Sequence, residues 1–523
     1  MPNLGLASRR SVLRNVGVAS AAGVVGAVAV PGVAEAATYT PVRYRGAPLL
    51  SRSTRHLVSR FSYGVTPALA ARVRKQGGGG DWFDNQLAPA SISDTAADAL
   101  MSWWPSLARD APELWTRQIA DIEGGWEVMQ DYQRWLLLRR MTTNRQLLET
   151  MTEFWQNHLH VPANGDMLFT HRVDYDTQIR ARALGRFEDL LYTAITHPAM
   201  GIYLDNAVST RRHPNENLGR ELLELHTVGR GAYDEDDVKS SARILTGWVV
   251  DLRNTWDSTY SPDDHWLGPV EVMDFKRANA DPDGRTLTRE YLSYLARHPR
   301  TAERIARKLA VKFVTDTPPQ SLVDRLASVY LANNTEIKPV LRALVGSTEF
   351  KGSIGGKVRD PNEDLVATYR VLRARVTKPP GGDNAYAANS ILWQASDIGA
   401  VPFGWPRPDG QPIDNDSWSS PARLIASMDV HYVMSGRWWP KQGITYRPHR
   451  AWLPQRRIRL DKLVDHLAQQ LLGTRSTARL LQACCEATAL GPRTMITADH
   501  PLVRWQFPRL LTTFLDSPTH LTR

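Results

Sequence analysis

Cysteine is almost absent from this chain of 523 residues: the two present, Cys484 and Cys485, are neighbours. Adjacent cysteines bridge only with strain, so a disulfide framework is excluded and the pair reads as small apolar filler of a C-terminal helix. Past residue 37 no stretch approaches the roughly 18 apolar residues of a membrane span. No block of like charge stands out either; the formal +10 is spread along Arg-rich segments. No helix-turn-helix, zinc-finger or RNA-recognition pattern accompanies that excess, which argues against nucleic acid as a partner and leaves weak affinity for an anionic envelope polymer open. His-Glu-x-x-His and Gly-x-Ser-x-Gly are missing, which removes zinc peptidases and serine hydrolases of known pattern. Gly77 to Gly80 have no strand before them and no Gly-Lys-Ser/Thr after, so they read as a flexible connection, not a phosphate loop. Alternating β-branched runs are few and no internal repeat occurs.

What is present begins with an address. Arg9 and Arg10 precede a weakly apolar run over residues 16–30, and Ala34-Glu35-Ala36 offers a cleavage point before Ala37. This is the pattern of a twin-arginine signal, which implies export of a folded chain, often one that has loaded a cofactor or metal, to the periplasm, cell wall or medium. No cysteine lies near the cleavage point, so a lipid anchor there is excluded.

The mature chain reads as mainly α, a large multi-helix bundle-like core with an irregular Pro/Gly/Trp-rich C-terminal section. The division expected is 1–36 signal, 37–100 arm and short helices, 101–350 helical core, and 351–523 C-terminal section with a long loop at 397–420. Thr66 caps a helix over 67–75. Residues 126–141 and 145–160 form a helix pair, and 180–196 a further single helix. On the 145–160 helix Leu147, Met151, Phe154 and Trp155 share an apolar arc, with Glu149, Glu153, Gln156, Asn157 and His160 opposite. His158 falls inside the apolar arc. It is either a satisfied core histidine or a neutral ligand or base, since burial lowers its pKa. The loop 397–420 and the tryptophans Trp418, Trp438 and Trp439 suggest either a sugar-stacking surface or indoles that lock loops onto helices.

Residues 214–248 organise the rest: two amphipathic helices joined by a loop bearing Gly229 and Gly231. Leu218, Leu222 and Leu225 lie on one side of the first wheel, with Glu216, Asn217, Arg220, Glu221 and Glu224 on the other. The acidic run Asp234 to Asp237 reads as an N-cap with carboxylates in the first turn, and Gly247 as the end of that helix.

Several segments together resemble the bacterial family catalogued as domain of unknown function 1800. They include HLVSRFSYGVTP (56–67), FWQNHLHV (154–161), HPAMGIYLDN (197–206), PNENLGRELLELHTVG (214–229) and VPFGWPRPDGQPIDNDSW (401–418), in the family's order. The resemblance implies a helical fold, export, and pairing with an exported partner of domain of unknown function 1501, similar to sulfatases and phosphatases. It implies no established activity. His226 stands where relatives carry His or Phe, and the wheel sets it against Leu222, so a packing role is expected. His265 follows Asp264 as in relatives, but the next residues depart from the family's pattern.

Two chemistries remain. One is a hydrolase-like enzyme in which His158, Glu216, Arg220 and Glu221 act in acid–base catalysis, or His158, Asp205, Glu221 and Glu224 hold a divalent metal such as Mn, Mg, Zn or Fe. Asn157 lies nearby. The other is a non-enzymatic envelope scaffold or glycan binder, in which the same charged faces are solvated.

Overall fold

The computed structural model describes residues 48–380 and 386–523; the twin-arginine segment lies outside the described residues. The structure is about 60% helical, and among the described residues the strands form only two-stranded antiparallel ribbons, such as Trp248–Val250 with Ser258–Tyr260. The mainly α architecture is as expected. No described helix is long and apolar enough to cross a membrane.

The apolar residues collect in two main clusters that do not follow chain order. One takes most of its residues from 57–87, 147–245 and 270–350, while the other joins 100–138 to 365–515 and adds Tyr63, Ala163, Phe169 and Val173. Helix Gln146–His158 stands at their junction. Its arc of Leu147, Met151, Phe154 and Trp155 enters the first cluster. Its opposite face is buried as well, against helix Gly125–Thr142 of the second cluster and helix Arg172–Arg182.

A buried ionic seam fills that junction. Glu149 accepts from Arg139 Nε at 2.6 Å and Arg180 Nη1 at 2.5 Å. Glu153 accepts from Tyr63 at 2.8 Å and pairs with Arg140 at 3.2 Å. Asp176 takes Tyr132 at 2.9 Å, Gln156 at 2.5 Å and Arg180 at 2.9 Å. Further along, Lys312 and Arg523 meet Glu363 at 2.9 and 2.7 Å. A wheel cannot separate such a face from a solvated one, because both are polar; here each charge is paired, which is the condition for burying it.

Thr66 caps helix Pro67–Lys75, accepting from Leu69 N. Residues 180–196 are two helices, Arg172–Arg182 and Phe187–Ile195. The break lies at Gly185, whose carbonyl accepts from Ile337 N while Phe187 N donates to Thr335 O. The glycine run is not a loose connection. Gly77 and Gly78 take φ +102° and +131°, and helix Gly79–Gln86 starts at once, because Trp82 and Phe83 bury themselves.

The 214–248 stretch does form two helices. Glu216–Glu221 runs into a π-turn, Leu222–His226, and Glu235–Ile244 follows, with Asp234 and Asp237 forming its capping box. Gly247 follows that helix at φ +93°. Gly219 lets the two helices touch, since a Cβ there would lie 2.9 Å from Ala242 N. The π-turn holds one more residue per turn than an α-helix, which rotates everything after it. Leu218 and Leu222 are buried as the wheel expects, and within the turn Leu223 is buried while Leu225 is only partly so.

The 397–420 loop is tied down throughout. Phe403 O accepts from Ala163 N, Trp405 O bonds His160 Nε2, Pro406 O accepts from Tyr203, and Asn157 Oδ1 accepts from Gln411 N. Gly410, at φ +74°, passes so close to Asn157 that a Cβ would sit 1.9 Å from its carbonyl oxygen.

Candidate functional site

The structure does not bring the sequence-predicted centre together. Glu216 and Arg220 remain partly exposed, and Arg220 bridges Glu216 at 3.3 Å and Glu235 at 2.7 Å. The hydrogen bonds to Glu235 raise the Arg220 pKa further. Glu224 is bound by Arg230 and by Tyr233 at 3.1 Å, and the Arg230 bond holds its carboxyl below the usual range. Asp205 is exposed, in left-handed backbone at φ 61°, and accepts from Asn217 at 3.2 Å. Glu221 is half-buried; burial and then Glu224 push its carboxyl up. Among the described residues, His158, Asp205, Glu221 and Glu224 do not form a group of metal-ligand atoms.

His158 is a core histidine with an unusual partner. Its Nε2–H donates to His226 O at 3.0 Å, while His226 Nδ1–H donates to His158 O at 2.8 Å. This crossed pair clamps the end of helix Gln146–His158 to the π-turn and fixes both tautomers. Lys308 Nζ donates to His158 Nδ1 at 3.0 Å. Burial first, then Lys308, drives His158 well below its ordinary pKa; His226 falls to about 3, chiefly by burial. Lys308 itself is lowered to about 7 by burial and Arg304. The imidazoles thus face cations, not carboxylates, which opposes metal binding. His265 is buried, with Asn279 Oδ1 at 2.9 Å from its Nε2.

The ligand-type side chains that do converge among the described residues are Asp364, His431 and His520, with donor atoms all within 4.8 Å. A metal there would have to displace existing bonds. Asp364 already takes Arg423 at 3.0 Å, Ser427 at 2.7 Å and His431 at 3.2 Å. Burial disfavours charge on His431, but Asp364 and Asp516 outweigh it and raise the imidazole to about 9. His520 Nε2 also bonds Thr368 Oγ1 at 3.0 Å, so each member of the trio already has protein partners and it reads as a buried polar cluster.

The open chemistry lies elsewhere, in a groove between helices Gly125–Thr142 and Ala387–Ile398. Trp126 and Trp393 are 65% and 52% exposed, far more than indoles that only fill space. With Gln130 they separate two adjoining cavities of about 550 and 730 Å³. Trp126, Met129, Gln130 and Gln133 line the first at helical spacing. Gly125 is required beneath them, because a Cβ would meet the Phe169 ring at 2.3 Å. Trp393 is held by parallel stacking on Trp439, centroids 6.3 Å apart and planes at 6°. Asn164 and Asp166 line the same cavity and hold no side-chain hydrogen bond to another described residue.

The second cavity carries Glu123, Glu127 and Asp131 on one wall. Glu123 accepts from Ser106 at 2.6 Å and Arg117 at 3.0 Å; Glu127 caps its helix through Gly124 N at 2.7 Å. Burial raises Asp131 to about 6, against the pull of Arg134 and with help from Glu123 and Glu127.

Of the indoles singled out in the sequence, Trp418 takes the loop-locking role, while Trp438 and Trp439 pack on neighbouring rings. Trp418 is buried and donates to Pro412 O at 2.8 Å, locking the loop. Trp438 is 46% exposed but packs edge-on to Tyr432, and Trp439 serves as the stacking support of Trp393. The signal in the sequence is an indole at helical spacing from two glutamines, Trp126 with Gln130 and Gln133.

Fold and site together define a helical protein with two apolar cores, a buried ionic seam between them and an aromatic–amide groove at the surface. Residues 56–522 match the family model described as protein of unknown function (DUF1800), and the chain belongs to that family. No curated protein and no solved structure matches it.

Proposed function

We propose that this is a glycan-binding protein, exported by the twin-arginine route, that holds polysaccharide in the Trp126–Trp393 groove. The observation that carries the reading is the pair of exposed indoles bordering adjoining cavities whose walls are amides and carboxylates. An indole face is electron-rich and rigid, and suits the C–H face of a pyranose ring. Side-chain amides and carboxylates such as Gln130, Asn164 and Asp166 suit sugar hydroxyls, which both donate and accept. In this reading the exported partner of domain of unknown function 1501 acts on, or alongside, the same polymer.

Retention of the mature protein on insoluble glycans (cellulose, chitin and peptidoglycan) tests it. Wild-type protein is retained by at least one. Trp126→Ala and Trp393→Ala each weaken retention about tenfold, the size expected from losing one stacked ring, with little change in thermal stability for Trp126→Ala. No retention on any of the three, or equal retention by the double variant, refutes the reading.

A hydrolytic variant of the same reading rests on Asp131, whose raised pKa suits a proton donor beside two further carboxylates. Release of reducing sugar that Asp131→Asn abolishes, with retention unchanged, supports it; retention without release leaves a binder.

A further inference from the structure

The arginines of the seam each meet a carboxylate; a group of half-buried and exposed arginines around one cavity does not. Beside the start of helix Pro67–Lys75, the end of helix Gly125–Thr142 and the exit of helix Pro361–Leu372 lies a cavity of about 880 Å³. Arg72, Arg370, Arg373 and Arg375 line it, and no Asp or Glu does. Arg370 donates to Met141 O at 2.9 Å, yet its Nε is buried with no acceptor. Arg373 reaches only the neutral Gln470 Oε1, at 2.7 Å. Burial, and then Arg72 and Arg359 beside it, lower Arg370 to about 10, the mark of a cation without its counter-charge. Leu100, Trp103, Leu138 and Met141 give the wall an apolar part. The volume lies within the range of roughly 300–1,000 Å³ typical of small-molecule sites.

We propose that this cavity binds an organic phosphate, a phosphomonoester whose dianion is held by Arg72, Arg370 and Arg375 and whose apolar or aromatic body rests on Trp103 and Met141. Four arginines on the lining of one cavity carry more positive charge than a single carboxylate balances. Their planar donor forks match phosphate oxygens in pairs. Thr66, Thr142 and Asn144 add neutral polar groups on the same wall. The site shares Trp103 with the second cavity of the tryptophan groove, but it does not rest on the glycan reading.

Isothermal titration of the mature protein with phenyl phosphate tests this, with inorganic phosphate and benzoate as the two half-ligands. Phenyl phosphate is expected to bind at least about tenfold more tightly than either, since only it satisfies both halves of the cavity. Arg72→Gln, at a half-buried position, and Arg375→Gln, at an exposed one, each weaken it about tenfold while the melting temperature without ligand stays put. Trp103→Ala weakens phenyl phosphate but not inorganic phosphate. No binding of phenyl phosphate at millimolar concentration, or unchanged binding by the Arg72→Gln/Arg375→Gln double variant, overturns the proposal. Either result leaves retention on glycans unaffected.

Discussion

Replacing Glu149 by leucine tests whether the ionic seam holds the two cores together. The Glu149 side chain is 1% exposed, and one oxygen takes both Arg139 and Arg180, at 2.6 and 2.5 Å. Burial alone would raise its pKa, yet the two arginines hold it below the ordinary value. Each charge-assisted hydrogen bond lost costs about 1.5–3 kcal/mol. The loss is softened because Arg180 keeps Asp176 at 2.9 Å and Arg139 keeps Asp98 at 3.3 Å. Leucine also returns some apolar burial, so the net expectation is about 3 kcal/mol, at the low end for breaking a buried pair. The assay is chemical denaturation of the mature protein, read as the midpoint shift at unchanged slope. The double variant Glu149→Leu/Arg139→Met should cost less than the sum of its parts by at least about 1 kcal/mol, because it removes both halves of a pair. A cost for Glu149→Leu below about 0.5 kcal/mol, as at an ordinary surface position, would refute the seam.

Two further outcomes follow from the geometry. His431, raised to about 9 by Asp364 and Asp516 against burial, favours folding fully below its ordinary 6.5, and that contribution is lost as pH rises through about 9. Melting temperature should therefore fall between these values, and His431→Gln should flatten that limb; an unchanged limb in the variant rules the account out. Gly410→Ala forces a Cβ against Asn157 O from left-handed backbone, at a cost of about 2–3 kcal/mol. Limited proteolysis should then cut within 397–420, and a variant as resistant as wild type would show that the loop can yield there.

Much of the molecule was legible in the chain alone. Helical periodicity, the Thr66 and Asp234 caps and the glycine-bearing loop at 229–231 depend on residues close in sequence, and the structure keeps them. The packing roles of His226 and of the paired cysteines were legible too, since an apolar stripe or an absence of partners defines them. Family membership rested on motifs in order, and needed no coordinates.

Three matters waited for the tertiary structure. A polar helix face is the same string whether water or an opposing arginine meets it, so Glu149 and Glu216 read alike, yet one is sealed in the seam and the other is solvated. The π-turn at Leu222–His226 changes the pitch on which any wheel depends, and only backbone hydrogen bonds reveal it. Which tryptophans are displayed and which arginines lack a counter-charge depends on segments hundreds of residues apart, such as 125–142 with 387–398, and 67–75 with 370–375. Local order follows from neighbours along the chain, whereas burial, and with it the value of every charge, is set by what folds against it.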